Sequence, residues 1–343
     1  MNEQDERFGY LKTLDSGVQT FPGFVDLQVN GFMGVDFSSG ELTRETFLTA
    51  CRGLIERGTV AFLPTIITSS PERFKRNLAL MASMMDHEEL SGHLLGFHVE
   101  GPFLSPEEGA IGAHNPSWVL PPDPAFLDRL QGWASGNIRL ITIAAECEGA
   151  EELCRHAVKQ GITVSLGHQL ANGEQMQRLA DAGATALTHL GNGMPATVNR
   201  HRNPLVDGLA CDDLTAMVIS DGHHLPESLL KVIWRVKGID RFLVVSDASP
   251  IAGMPPGRYN ALGNEVVLEP SGYLSNPETG YLVGSSATML ECMNVLADTG
   301  WFGPEELLRA GLENPLRLIG LDPERVLNAF THRIGVRKRF FNL

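Results

Sequence analysis

Three residues of the kinds that bind divalent metal each close a short run rich in apolar residues: Glu100 in FHVE, His168 in VSLGH and His189 in ALTH. One carboxylate and two imidazoles, with a further position left to water, suit catalytic zinc, and iron, cobalt or manganese tolerate the same set. Water bound there loses a proton near neutral pH and becomes a nucleophile without an activated serine or cysteine. Asp247, in VVSDA, closes another such run, where a carboxylate can take that proton and hand it to a leaving amine. Taken singly, each ligand is equally well explained as a hydrogen-bonding group at a strand end; for Asp247 an acceptor role for loop backbone is the lesser alternative. Their joint placement favours chemistry, with Gly101 after Glu100 and Gly167 before His168 to admit close approach.

These runs belong to a series of eight candidate strands: Phe24–Asn30, Val60–Thr68, Leu94–Glu100, Arg139–Glu146, Ile162–His168, Ala184–His189, Thr215–Asp221 and Phe242–Asp247. Amphipathic stretches such as Arg44–Arg57, Glu72–Met85, Ala150–Gln160 and Gly173–Ala182 alternate with them, which implies a parallel sheet. Eight such units close into a (β/α)8 barrel of the TIM type. A doubly wound open sheet is the alternative, but no G-x-G-x-x-G follows the first strand. In a barrel the strand ends gather at the C-terminal face, here Gln28, Asn30, Thr65, His98, Glu100, Glu146, His168, His189, Asp221 and Asp247. Residues 253–284, rich in Gly, Pro, Tyr and Asn, read as turns and hairpin strands forming a lid or a small β attachment. Helical patterns resume at Ser286–Asp298 and Pro304–Ala310, and the tail carries the basic segment Arg333–Phe341.

A chain of 343 residues accommodates one such barrel, which needs about 250, with attachments. The net charge of −14 argues against nucleic acid or an anionic membrane surface as partner, and a phosphorylated substrate then needs a local cationic pocket. No apolar run reaches the roughly 20 residues of a membrane helix, and the opening MNEQDERFGY is too polar and acidic for a signal peptide. Five scattered cysteines with no C-x-x-C pair point to a reducing cytoplasm.

Read together, PGFVDLQVNG (22–31), LPTIITS (63–69), HVEGPFL (98–104), GAHNP (112–116), VSLGH (164–168), THLGNGMP (188–195), DGHH (221–224) and SDASPIAG (246–253) resemble the N-acetylglucosamine-6-phosphate deacetylase family of the amidohydrolase superfamily. The resemblance runs in order over roughly residues 21–320, and it implies hydrolysis of the acetamide of an N-acetylhexosamine 6-phosphate in a metal-dependent barrel, usually homodimeric. By position it implies Glu100, His168 and His189 as ligands of one divalent ion, zinc first, and Asp247 as the acid/base. His114 then polarises the acetyl carbonyl or fixes the sugar, His224 faces the substrate, Asn192 and Gly193 lie near its phosphate, and Arg200 binds that phosphate. His98, His156 and His223 read as structural, while His93 and His201 are left unassigned.

The chain departs from the family pattern in three places. Gln28 and Asn30 stand where many amidohydrolases have H-x-H. Neutral amides are poor zinc ligands, so one metal is favoured and the amides are left to face the substrate. The arginine segment VNRHRNPL (198–205) lacks the usual preceding Gly and following Pro-Gly. Only about 20 residues precede PGFVD, so residues 1–20 read as the remnant of a small β domain, 21–320 as the barrel, and 321–343 as a tail. Two competing functions follow: an amidohydrolase acting on another N-acyl or cyclic amide, motivated by the altered arginine segment, and a non-catalytic sugar-phosphate binder, motivated by the reduced attachment.

Overall fold

The computed structural model describes residues 22–327, together with the backbone of 12–13, 19–21 and 341–342. One sheet holds eight parallel strands: β1 (Phe24–Val29), β2 (Thr59–Ile67), β3 (Phe97–Glu100), β4 (Ile138–Ile143), β5 (Thr163–Leu166), β6 (Ala186–Leu187), β7 (Thr215–Val218) and β8 (Phe242–Val244). Neighbours in the sheet follow chain order from β1 to β8. A parallel bridge between Val29 and Ala248, with the Asn30 N–H on the Ala248 carbonyl at 2.8 Å, joins the two ends and closes the barrel. The sheet is buried on both faces, as the unbroken burial of β2 shows.

Eight helices follow the strands in turn: α1 (Arg44–Glu56), α2 (Pro71–Ala82), α3 (Pro124–Trp133), α4 (Ala150–Lys159), α5 (Gly173–Asp181), α6 (Pro204–Ala210), α7 (Glu227–Lys237) and α8 (Met289–Asp298). Their sequences set both the buried face and the start. In α4, Ala150, Leu153, Cys154 and Ala157 recur at helical spacing and point inward. Ser70 accepts the Arg73 N–H ahead of Pro71, and Asn172 and Gln175 form a reciprocal capping box that starts α5.

The barrel interior departs from the apolar layers expected of it. The buried His98 ring contacts Thr65 (3.3 Å) and Thr142 (2.8 Å), and Thr142 bonds Thr188, which bonds Ser165. This chain of satisfied polar groups crosses five strands near the strand ends that carry the ligands. His98 is thereby structural, as read from sequence.

Between β8 and α8 the chain builds a three-stranded antiparallel sheet, β9 (Gly257–Ala261), β10 (Asn264–Leu268) and β11 (Leu274–Ser275). It has its own hydrophobic cluster, Ile251, Ala261, Val266, Leu268, Leu274 and Val283, against which Ala113 also packs. A second small sheet pairs Lys12–Thr13 with Gln19–Phe21, and Gln19–Phe21 with Phe341–Asn342. Most of the expected segment 1–20 and the basic segment 333–340 lie outside the described residues. Among the described residues, no helix is long and apolar enough to cross a membrane.

Candidate active site and metal centre

Glu100 is the last residue of β3, but the other three site residues stand beyond their strands, which are shorter than the sequence suggested. His168 and His189 lie two residues past β5 and β6, and Asp247 three past β8. All three adopt left-handed backbone, with φ of 50°, 29° and 49°. Such conformations cost on the order of 1–3 kcal/mol each and persist where the surroundings impose them. Half of the six non-glycine residues with positive φ among the described residues are therefore these three, so backbone strain is concentrated at the site.

The turns aim the side chains at one point. Glu100 Oε1 lies 3.0 Å from His189 Nε2 and 3.3 Å from His168 Nε2, and the two imidazole nitrogens are 3.1 Å apart. His168 Nδ1 donates to the Ala110 carbonyl at 2.7 Å, which leaves its Nε2 lone pair facing Glu100 and His189. Gly112 and Gly193 make room for that ring: a Cβ on either, both at positive φ, would come within about 3 Å of it. A buried carboxylate and two imidazole nitrogens, all within 4.8 Å of one another, are a set that could hold a divalent metal ion. The residues present fit such an ion: a carboxylate oxygen and two imidazole nitrogens crowd together in a buried site, with the His168 Nε2 lone pair turned inward.

Asp247 stands against this centre. Its Oδ1 accepts Asn30 Nδ2 at 2.7 Å and Gln28 Nε2 at 3.0 Å, and the same Gln28 nitrogen donates to Glu100 Oε1 at 2.9 Å. The two amides that replace H-x-H thus hold the two carboxylates; Gln28 is fully buried, while Asn30 lines the cavity. Burial, followed by the Glu100 charge, raises the Asp247 carboxyl to about 6. Glu100 goes the other way: burial raises its carboxyl, but the imidazoles of His168 and His189 packed against it outweigh burial and hold it well below the usual range. The same pairing holds the His189 ring above the usual histidine range despite burial.

His114 completes the cluster, its Nε2 3.2 Å from His168 Nε2 and 3.8 Å from Glu100 Oε2. Burial, then the neighbouring His168, lowers it to about 3, so it is neutral. The Thr68 backbone N–H points at His114 Nδ1 and the Thr68 hydroxyl lies 3.0 Å away. A backbone N–H can only donate, so Nδ1 accepts and Nε2 carries the proton, an assignment made from the network. His114 therefore offers a donor toward the centre.

A cavity of about 270 Å³ opens above these residues. His224 and Asn192 line it; Asn192 bonds the His189 carbonyl through its side chain at 3.1 Å. His224 Nδ1 donates to Asp221 Oδ2 at 2.8 Å, and burial of Asp221 is outweighed by that bond, which keeps its carboxyl below the usual range. Arg200 is not brought there: it is exposed, bonds its neighbour His201 at 3.2 Å, and no Lys or Arg lines the cavity among the described residues. Sequence reading missed Thr68 and the Ala110 carbonyl, which act through local geometry, and also the cavity wall made by Leu262, Tyr273, Tyr281 and Leu282. The Gly- and Tyr-rich composition of 253–284 was the signal for that wall.

No family model matches the chain. It is 32% identical over 324 residues to the N-acetylglucosamine-6-phosphate deacetylase of Caenorhabditis elegans, which covers 90% of this chain and 76% of the relative. The N-acetylgalactosamine-6-phosphate deacetylase of Escherichia coli O157:H7 is 29% identical over 305 residues, covering 88% and 78%. Among solved structures, a variant of the Mycobacterium smegmatis N-acetyl-D-glucosamine-6-phosphate deacetylase, in complex with N-acetyl-D-glucosamine-6-phosphate, superposes with a TM-score of 0.81 at 28% identity, covering 89% of this chain and 79% of that one.

Proposed function

Because the chain belongs to the N-acetylglucosamine-6-phosphate deacetylase family, we propose that it hydrolyses the acetamide of an N-acetylhexosamine 6-phosphate, N-acetylglucosamine 6-phosphate first, to acetate and the amino sugar phosphate. The observation that carries this reading is the convergence of Glu100, His168 and His189 beside Asp247 at the floor of one cavity. Glu100, His168 and His189 would hold one divalent ion, zinc first for this donor set. When bound, that ion supplies Lewis acidity, acidifying water and polarising the amide carbonyl.

The protein's own groups do the rest. Gln28 and Asn30 hold Asp247 by Oδ1, leaving Oδ2 without a side-chain partner among the described residues. Asp247 accepts a proton from water as the oxygen attacks the acyl carbon, then returns it to the nitrogen as the C–N bond breaks. His114 Nε2–H donates to the oxygen that gains negative charge. His224 and Asn192 contact the sugar phosphate from the cavity wall, with Gly193 leaving space beside them. We also infer a homodimer, and a reducing cytoplasmic setting, which suits five cysteines that are all free.

Acetate release from N-acetylglucosamine 6-phosphate, measured with metal-replete and chelator-treated protein and with the unphosphorylated sugar, tests the reading. Release is expected only with metal. No release from metal-loaded protein would remove the deacetylase assignment. The cavity without a Lys or Arg favours a second reading, hydrolysis of N-acyl sugars irrespective of phosphate, which equal rates on both sugars would establish.

Thr68→Val removes the hydroxyl beside His114 Nδ1 and leaves only the longer backbone contact. It is expected to lower kcat about 10-fold, the scale for groups that orient site residues, with Thr68→Ser close to wild type. Steady-state kinetics decide it, and a fully active Thr68→Val would leave the tautomer of His114 set by something else.

A further inference from the structure

Asp26 lies in β1, is fully buried, and forms no ion pair among the described residues. Isolated buried carboxylates are costly, and burial pushes this one up to about 7. Its surroundings are nevertheless specific. Oδ1 accepts the backbone N–H of Gln28 at 3.2 Å and of Ser246 at 3.1 Å, and Oδ2 accepts the Ser246 hydroxyl. Ser246 Oγ in turn accepts the Ala248 N–H at 3.0 Å.

These bonds cross the closure of the barrel, where backbone pairing between the first strand and the segment after β8 is a single bridge, Val29 with Ala248. They also end on the two residues that determine where Asp247 stands. Gln28 ties Asp247 to Glu100 through one amide nitrogen, and Ser246 is the residue before the left-handed turn at Asp247. Moving either displaces the proton-transfer group relative to the centre.

We propose that Asp26 is a positioning residue for the hydrolysis: its carboxyl group anchors Gln28 and Ser246 together and so fixes Asp247 in working register with Glu100. The role rests on the deacetylase reading, because it acts through Asp247. Three donors converge on two oxygens, which suits an acceptor-only side chain. Asparagine can keep both backbone bonds on Oδ1 and reverse the third, donating from Nδ2 to Ser246 Oγ; alanine keeps none.

The test is steady-state kinetics on N-acetylglucosamine 6-phosphate with metal content measured on each protein. Asp26→Ala is expected to lower kcat about 100-fold, the scale of an ångström-sized misplacement, at unchanged KM and metal content. Asp26→Asn recovers kcat to within about 10-fold of wild type. In an Asp247→Asn background, Asp26→Ala lowers the residual rate no further, because the group it positions is already gone. A purely structural role would lower stability in both backgrounds and leave no such coupling.

An active wild type with Asp26→Ala equal to it in kcat, or with kcat effects that add fully in the double mutant, overturns the positioning role. A metal-loaded wild type that releases no acetate overturns the deacetylase reading instead. If Asp26→Ala does not fold, Ser246→Ala decides: it removes the hydroxyl bond to the same carboxyl, and a kcat about 10-fold lower supports the role, whereas an unchanged kcat overturns it.

Discussion

Asp247→Asn is expected to lower kcat about 10³-fold while the protein keeps its fold and its metal. The amide can still accept Asn30 and Gln28 through Oδ1, so the cluster stays assembled, but the remaining atom is a nitrogen that cannot take a proton from water. A rate profile adds a second readout. Asp247 must be ionised to act as base, so activity falls as pH drops through its pKa. Burial and the Glu100 charge put that carboxyl at about 6, and a cation among Glu100, His168 and His189 pulls it lower. The acid limb of kcat/KM therefore lies at or below about 6 and is lost in Asp247→Asn. An asparagine variant with near-normal kcat, or an unaltered acid limb, would assign the proton transfer elsewhere.

Glu100→Gln is expected to abolish turnover by a different route, through loss of the metal. A neutral amide is a poor zinc ligand, and Glu100 is the carboxylate of the donor set. Affinity should fall by more than the 10–100-fold typical of outer-shell changes, so metal measured after dialysis drops well below wild type. The two variants separate the roles: Asp247→Asn is loaded and inactive, whereas Glu100→Gln is empty and inactive. Glu100→Gln protein that retains a full complement of metal would exclude Glu100 as a ligand.

The alternation of strand and helix made the barrel legible, since two-sided burial leaves runs such as Val60–Thr68 nearly continuous in apolar residues. Strand ends were less so. The stretch Ala184–His189 contributes only Ala186–Leu187 to the sheet, because the chain must leave extended geometry to turn His189 inward. Glu100, His168, His189 and Asp247 could be singled out because metal and proton chemistry restrict residue type, and the structure brings the four together. Thr68 could not, since its role lies in which ring nitrogen it faces. Arg200 was placed by its spacing after His189, yet the sixteen-residue connection 188–203 separates spacing from position, and the side chain ends in solvent.

The lobe of β9–β11 contributes Leu262, Tyr273, Tyr281 and Leu282 to the cavity and none of the metal or proton donors, and it packs around a hydrophobic cluster of its own. One wall of the cavity is therefore encoded in a stretch of gene separate from those that carry Glu100, His168, His189 and Asp247. Diversity introduced between codons 257 and 283 reshapes that wall and leaves those four residues as they are.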